Sequence, residues 1–119
     1  VDDNLTNLKL VKVLLESEGY FVRTAANAEE ARAVLDGFIP AIILMDIQLP
    51  GMDGLTLTRL LKTDPRTAPI PVIALTAYAM KGDDDKALAS GCSGYITKPV
   101  DTRSFAAQVK TFLAESARA

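Results

Sequence analysis

Apolar residues recur at intervals of three and four between Asn4 and Glu18, where Leu5, Leu8, Val11, Val13, Leu14 and Leu15 predict a first helix. Asn4 or Asp3 stands where a cap belongs, and Gly19 where the helix ends. Tyr20 to Ala25 is short and rich in aromatic and β-branched residues, which predicts a strand. Ala28 to Phe38 is alanine-rich with Glu29 and Glu30 in its first turn, which predicts a helix. After Pro40 the run Ala41 to Met45 is apolar on both faces, as a buried parallel strand should be, and it stops at Asp46. The turn from Leu49 to Gly54 leads into a helix carrying Leu55, Leu57, Leu60 and Leu61, broken by Asp64-Pro65. A strand from Val72 to Thr76, a helix from about Asp83 to Ser90, a strand from Gly94 to Thr97 and a helix capped by Asp101 and running to about Ala117 complete the pattern.

Strands alternating with helices, most strands apolar throughout, predict an open, doubly wound α/β fold: a parallel sheet covered by helices on both faces. Residues 1–119 read as one domain, with no low-complexity linker. In such sheets ligands sit beyond the carboxyl ends of the strands, so Asp46, Thr76 and Lys98, where strands stop, are the informative positions. The first helix should be fed by a central strand, yet nothing apolar precedes Val1-Asp2-Asp3. About five further apolar residues upstream are therefore expected, in keeping with mean strands of roughly 5–6 residues.

Composition narrows the chemistry. A length of 119 residues with 49% hydrophobic content suits a single domain with a real core. A net charge of -2 supplies no field for a polyanion, so direct nucleic-acid binding is not expected. Cys92 is the single cysteine and histidine is absent, which rules out an internal disulfide and a Cys/His zinc site. No stretch approaches a membrane span and the acidic start is unlike a signal peptide, so a cytoplasmic location without membrane contact is expected.

Asp2 and Asp3 stand where the first strand would end, and Asp46 where the next central strand ends. They should converge. Carboxylates about 4 Å apart repel by roughly 4 kcal/mol at an effective dielectric of 20, so the cluster calls for a cation, and an all-oxygen donor set points to Mg²⁺. Lys98, presented by Pro99, adds an ammonium group, and Thr76 a hydroxyl. A carboxylate nucleophile, a divalent metal, an ammonium and a hydroxyl are the parts for in-line phosphoryl transfer. Each also has a plainer role, since aspartates cap helices and a strand-ending lysine is commonly a solvated one. Order and placement together favour the chemistry. Asp83-Asp84-Asp85 reads as a helix N-terminus, and Cys92 as a small buried side chain.

The succession Asp2-Asp3, Asp46 to Gly54, Ala74-Leu75-Thr76-Ala77 and Gly94-Tyr95-Ile96-Thr97-Lys98-Pro99 resembles the response-regulator receiver family of two-component signalling. The wording from Ala77 to Asp83 is similar to single-domain cell-cycle regulators of the DivK kind. The resemblance implies a flavodoxin-like, CheY-like five-stranded sheet of order 2-1-3-4-5. It implies that Asp46 accepts phosphate from a sensor histidine kinase or histidine phosphotransferase, and that the domain acts as a switch and not as an enzyme with a separate substrate. Asp3 and Asp46 would hold Mg²⁺ with the Gln48 carbonyl, and Asp2 would act mainly through water. Thr76, the Ala77 amide and Lys98 would bind the phosphoryl oxygens, and Tyr95 would be the switch aromatic. Fourth helix, fifth strand and fifth helix would form the surface for a downstream partner or a second copy, and Gln48 and Tyr78 would tune phosphate loss. A haloacid-dehalogenase-like phosphatase is disfavoured, because its acid-base aspartate would fall at Gln48. A nucleotide-binding protein is disfavoured by the acids where a phosphate loop belongs. A receiver-like module that is never phosphorylated is the remaining alternative.

Overall fold

The structure is a computed structural model and describes residues 1–47, 54–76, 91–97 and 101–117. Asn4 sets the start of α1 (Leu5–Glu16): its side-chain oxygen accepts the N–H groups of Thr6 and Asn7 at 3.0 and 3.1 Å. The helix ends two residues before Glu18, because the N–H groups of Glu18 and Gly19 tighten onto the Leu15 and Glu16 carbonyls. Gly19 then takes φ +89°, where a side chain would be strained. Asn27 caps α2 (Ala28–Gly37) by accepting the Glu30 N–H at 2.9 Å, while the Glu30 carboxylate reaches back to the Ala26 N–H at 2.7 Å.

β1 (Ile43–Asp46), α3 (Gly54–Thr63), β2 (Val72–Thr76) and β3 (Gly94–Thr97) follow, and α4 (Phe105–Ala117) closes the described chain. The three strands form a parallel sheet in the order β1-β2-β3, with Asp46 paired to Leu75 and Thr76 to Thr97. These are three of the five expected strands, in the expected order. Two boundaries differ from expectation. β1 begins at Ile43 because the first ladder bond is Ile43 N–H to Pro71 C=O. The last helix begins at Phe105, after a turn in which Asp101 accepts the Arg103 N–H on its side chain and the Phe105 N–H on its carbonyl, the bonding expected of its cap. The helix expected over Asp83 to Ser90 lies outside the described residues.

Tyr20 to Ala25 carries no ladder pairing, contrary to the expected strand. A parallel strand exists through its neighbour, and the bond described to this segment from that side is the Asp2 N–H to the Ala25 carbonyl, at 3.0 Å. On its other side the Val1-Asp2 segment meets β1, with the Val1 nitrogen 2.6 Å from the Leu44 carbonyl and the Asp46 N–H 2.9 Å from the Val1 carbonyl. Val1 and Asp2 thus hold the place where the central strand was expected to end.

Alternation along the strands sorts the core into two layers. Ile43, Met45, Val72 and Ala74 pack with Ala31, Leu35, Leu57 and Leu61 on the α2 and α3 face. Ile73, Leu75 and Ile96 pack with Leu15, Phe105 and Val109 on the α1 and α4 face, joined by Ile42 and Leu44. The sheet is therefore buried on both sides, so its chemistry is confined to the strand ends.

Candidate functional site

Asp46 is the last residue of β1 and is 6% exposed, although the strand before it is apolar. Its backbone is fixed on both sides: its own N–H is held by Val1, and the next N–H, that of Ile47, by Leu75 at 3.2 Å. Asp2 is 3% exposed and is oriented by the segment that follows it. One of its oxygens accepts the Asn4 N–H at 2.9 Å, and the other lies 3.5 Å from the Asn7 amide nitrogen. Asp3 points to solvent. One oxygen from each of Asp2, Asp3 and Asp46 lies within 4.8 Å of the others. The convergence expected from the sequence is thus present, two of the acids buried and one open.

At such separations each pair of charges repels by at least about 3.5 kcal/mol at an effective dielectric of 20. Three carboxylates with no histidine anywhere in the chain are a hard, oxygen-only donor set, which fits a small divalent ion keeping several waters. Asp3, the exposed member, leaves the cluster accessible.

The register brings the other predicted strand ends to the same edge. Asp46 pairs with Leu75, Thr76 follows at the end of β2, Thr76 pairs with Thr97, and Lys98 is the next residue in the chain. Lys98, Gln48, Ala77 and Tyr78 themselves lie outside the described residues. Tyr95 lies opposite Ala74 in the ladder and is 41% exposed, so its ring faces outward.

Two contributors escape a reading of the sequence. Gly54 opens α3 against the backbone of Asp46: a Cβ there would stand 2.0 Å from the Asp46 carbonyl oxygen, and the Gly54 N–H bonds the Ile47 carbonyl at 2.9 Å. The signal was available in the glycine at the start of an otherwise leucine-rich helix, but turn glycines are too common to single it out. Asn7 is the second, and nothing in its spacing marks it as a neighbour of Asp2.

Residues 1–110 match the response regulator receiver domain. The chain belongs to that family. It is 42% identical over 116 residues to the polar-differentiation response regulator DivK of Brucella anthropi, covering 98% of this chain and 94% of that protein. Among solved structures it is similar to a CheY-like response regulator receiver domain protein from Methanospirillum hungatei, with a TM-score of 0.88, 32% identity, and 98% and 92% of the two chains covered. The receiver domain of a sensor histidine kinase from Pseudomonas aeruginosa, solved with magnesium coordinated in its active-site cleft, gives a TM-score of 0.84 at 31% identity, covering 100% of this chain and 94% of that one. The chain is thus a receiver domain of two-component response regulators, with the CheY-like fold. No helix among the described residues is long and apolar enough to cross a membrane.

Proposed function

We propose that this receiver takes a phosphoryl group onto Asp46 from a phosphohistidine on a sensor kinase or phosphotransferase, with Mg²⁺ held by Asp3, Asp46 and the Gln48 carbonyl. Asp2 would act mainly through water. The carrying observation is the meeting of three carboxylate oxygens within 4.8 Å at the end of a buried parallel strand. A bound Mg²⁺ supplies charge neutralisation for the carboxylates and the incoming phosphoryl oxygens. An Asp46 carboxylate oxygen attacks phosphorus in line, a P–O bond forms, the P–N bond to the donor imidazole breaks, and the imidazole leaves with its electron pair and takes a proton. Burial and the doubly anchored backbone hold the nucleophile still for that attack. Thr76, the Ala77 amide and Lys98 receive the phosphoryl oxygens, a role favoured by the level strand ends.

Phosphorylation adds about two negative charges at Asp46, and the strand-end groups follow them. The surface that responds includes β3, with Tyr95 as the switch aromatic, and α4, together with the segment from Asp83 to Ser90. Its output is a contact with another protein or with a second copy of this chain. Residues 1–119 constitute one receiver domain acting in the cytoplasm, and the chain assists its own phosphorylation and dephosphorylation.

Incubation with beryllofluoride or acetyl phosphate tests the reading. A Mg²⁺-dependent adduct is expected on the wild type and none on Asp46→Asn, read by intact-protein mass spectrometry for acetyl phosphate and by ¹⁹F NMR for beryllofluoride. Absence of an adduct on folded wild-type protein would identify an interaction module that is never phosphorylated.

A further inference from the structure

The first turn of α1 holds Asp2 by both carboxylate oxygens. Oδ1 accepts the Asn4 N–H at 2.9 Å, and Oδ2 lies 3.5 Å from the Asn7 amide nitrogen. An ionised carboxylate only accepts, so it is the nitrogen of the Asn7 amide that must face it. Asp2 is 3% exposed, which leaves water little access, and taking a donor away from a buried acceptor is costly. Asp3, by contrast, is open to solvent. Asn7 is itself placed through its backbone, whose N–H is capped by the Asn4 side chain at 3.1 Å. Its side chain can therefore be changed without undoing the start of the helix.

This grip bears on which ion the acids accept. Ca²⁺ takes about six to eight oxygens in an adaptable geometry, often both oxygens of one carboxylate. Mg²⁺ is smaller, demands a near-ideal octahedron and is satisfied by one or two carboxylates with several waters. A carboxylate with each oxygen turned to a donor on α1 is poorly placed to wrap a large ion with both oxygens. It can still accept a hydrogen bond from a water molecule, since each oxygen keeps a lone pair.

We propose that Asn7 is a positioning residue for the metal site and sets its ion preference: by holding the second oxygen of Asp2 it keeps that carboxylate from chelating, which favours Mg²⁺ over Ca²⁺. The inference rests on the assignment of Asp2, Asp3 and Asp46 to Mg²⁺ made under the proposed function.

The test titrates the metal-free 119-residue chain with magnesium chloride and with calcium chloride at constant ionic strength, followed by ¹⁵N–¹H NMR. Wild type is compared with Asn7→Leu, which removes the donor at similar bulk, and with Asn7→Ala, whose strong helix propensity guards α1. In both variants the dissociation constant for Mg²⁺ should rise about tenfold, as is usual when a group orienting a metal-site side chain is lost. That for Ca²⁺ should change by less than about threefold, because its geometry adapts to a freed carboxylate. Equal weakening of the two ions would mark a merely structural role, and unchanged Mg²⁺ binding an idle contact. Either result overturns the proposal and leaves the metal reading of the three acids in place, whereas a wild type that fails to bind Mg²⁺ overturns both.

Discussion

Asp3 is the exposed member of a crowded trio, and its charge acts on the other two across a short distance. Replacing it by asparagine removes one source of repulsion at constant shape. Asp3→Asn should therefore raise the metal-free melting temperature slightly, corresponding to about 1 kcal/mol because water around the exposed Asp3 screens it far below the dielectric-20 figure, while weakening the stabilisation given by Mg²⁺. Thermal melts with and without Mg²⁺ measure both, and a lowered metal-free melting temperature would contradict the electrostatic account. Gly54 works by the absence of a side chain. The methyl of Gly54→Ala would collide with the Asp46 carbonyl, so either α3 or the acceptor backbone must shift. A loss of about 3 kcal/mol in urea denaturation is expected, with a weakened Mg²⁺ response, as for overpacking at an inflexible contact.

At the scale of elements, the start of α1 is tied to the acid cluster, since the Asn4 side chain caps the helix while its own N–H holds Asp2. Asn4→Ala should cost about 1 kcal/mol of stability in urea denaturation and leave the Asp2 contact in place, because that contact uses the backbone. Most elements were legible in the sequence. α1, α2, α3, β2 and β3 declare themselves through helical spacing, caps and short apolar runs, which are local properties. Asp46 and the two leading aspartates were legible too, because a parallel sheet gathers strand ends at one edge. Tyr20 to Ala25 carries no ladder in this structure: composition reports the fitness of a segment for pairing, and pairing itself is a property of two segments. Asp101 makes the hydrogen bonds of a cap as expected, and only the first regular residue of α4, Phe105, comes later than the sequence suggests, since helix ends tighten into turns. The Gly54 and Asn7 contacts depend on tertiary proximity that no local pattern encodes.

For the molecule as a whole, the two apolar layers control the behaviour of polar groups caught between them. Cys92 is buried among the α2 and α3 side of the core, near the Thr58 hydroxyl. Burial pushes its thiol above the ordinary value of 9.0, against smaller opposing effects from the Thr58 hydrogen bond and the Lys62 ammonium. The folded chain therefore keeps this proton at pH values where the unfolded chain has lost it. The contribution to stability is full below about pH 9 and declines as pH rises beyond it. Lys62 is shifted down by its own desolvation, which acts in the opposite sense, so the comparison is made against Cys92→Ala. The stability advantage of wild type over that variant should shrink above pH 9 in urea titrations, and thiol labelling at pH 8 should be far slower in buffer than in denaturant.

The anchoring of Asp46 between Val1 and Leu75, with α3 seated on its carbonyl, limits how a signal can leave this residue. A residue whose main chain is bolted to three separate segments cannot transmit by sliding its strand. On the function proposed above, the charge Asp46 acquires is read by groups that reach over it from the neighbouring strand ends, with the acceptor as the stationary part of the device and the reporters as the moving ones.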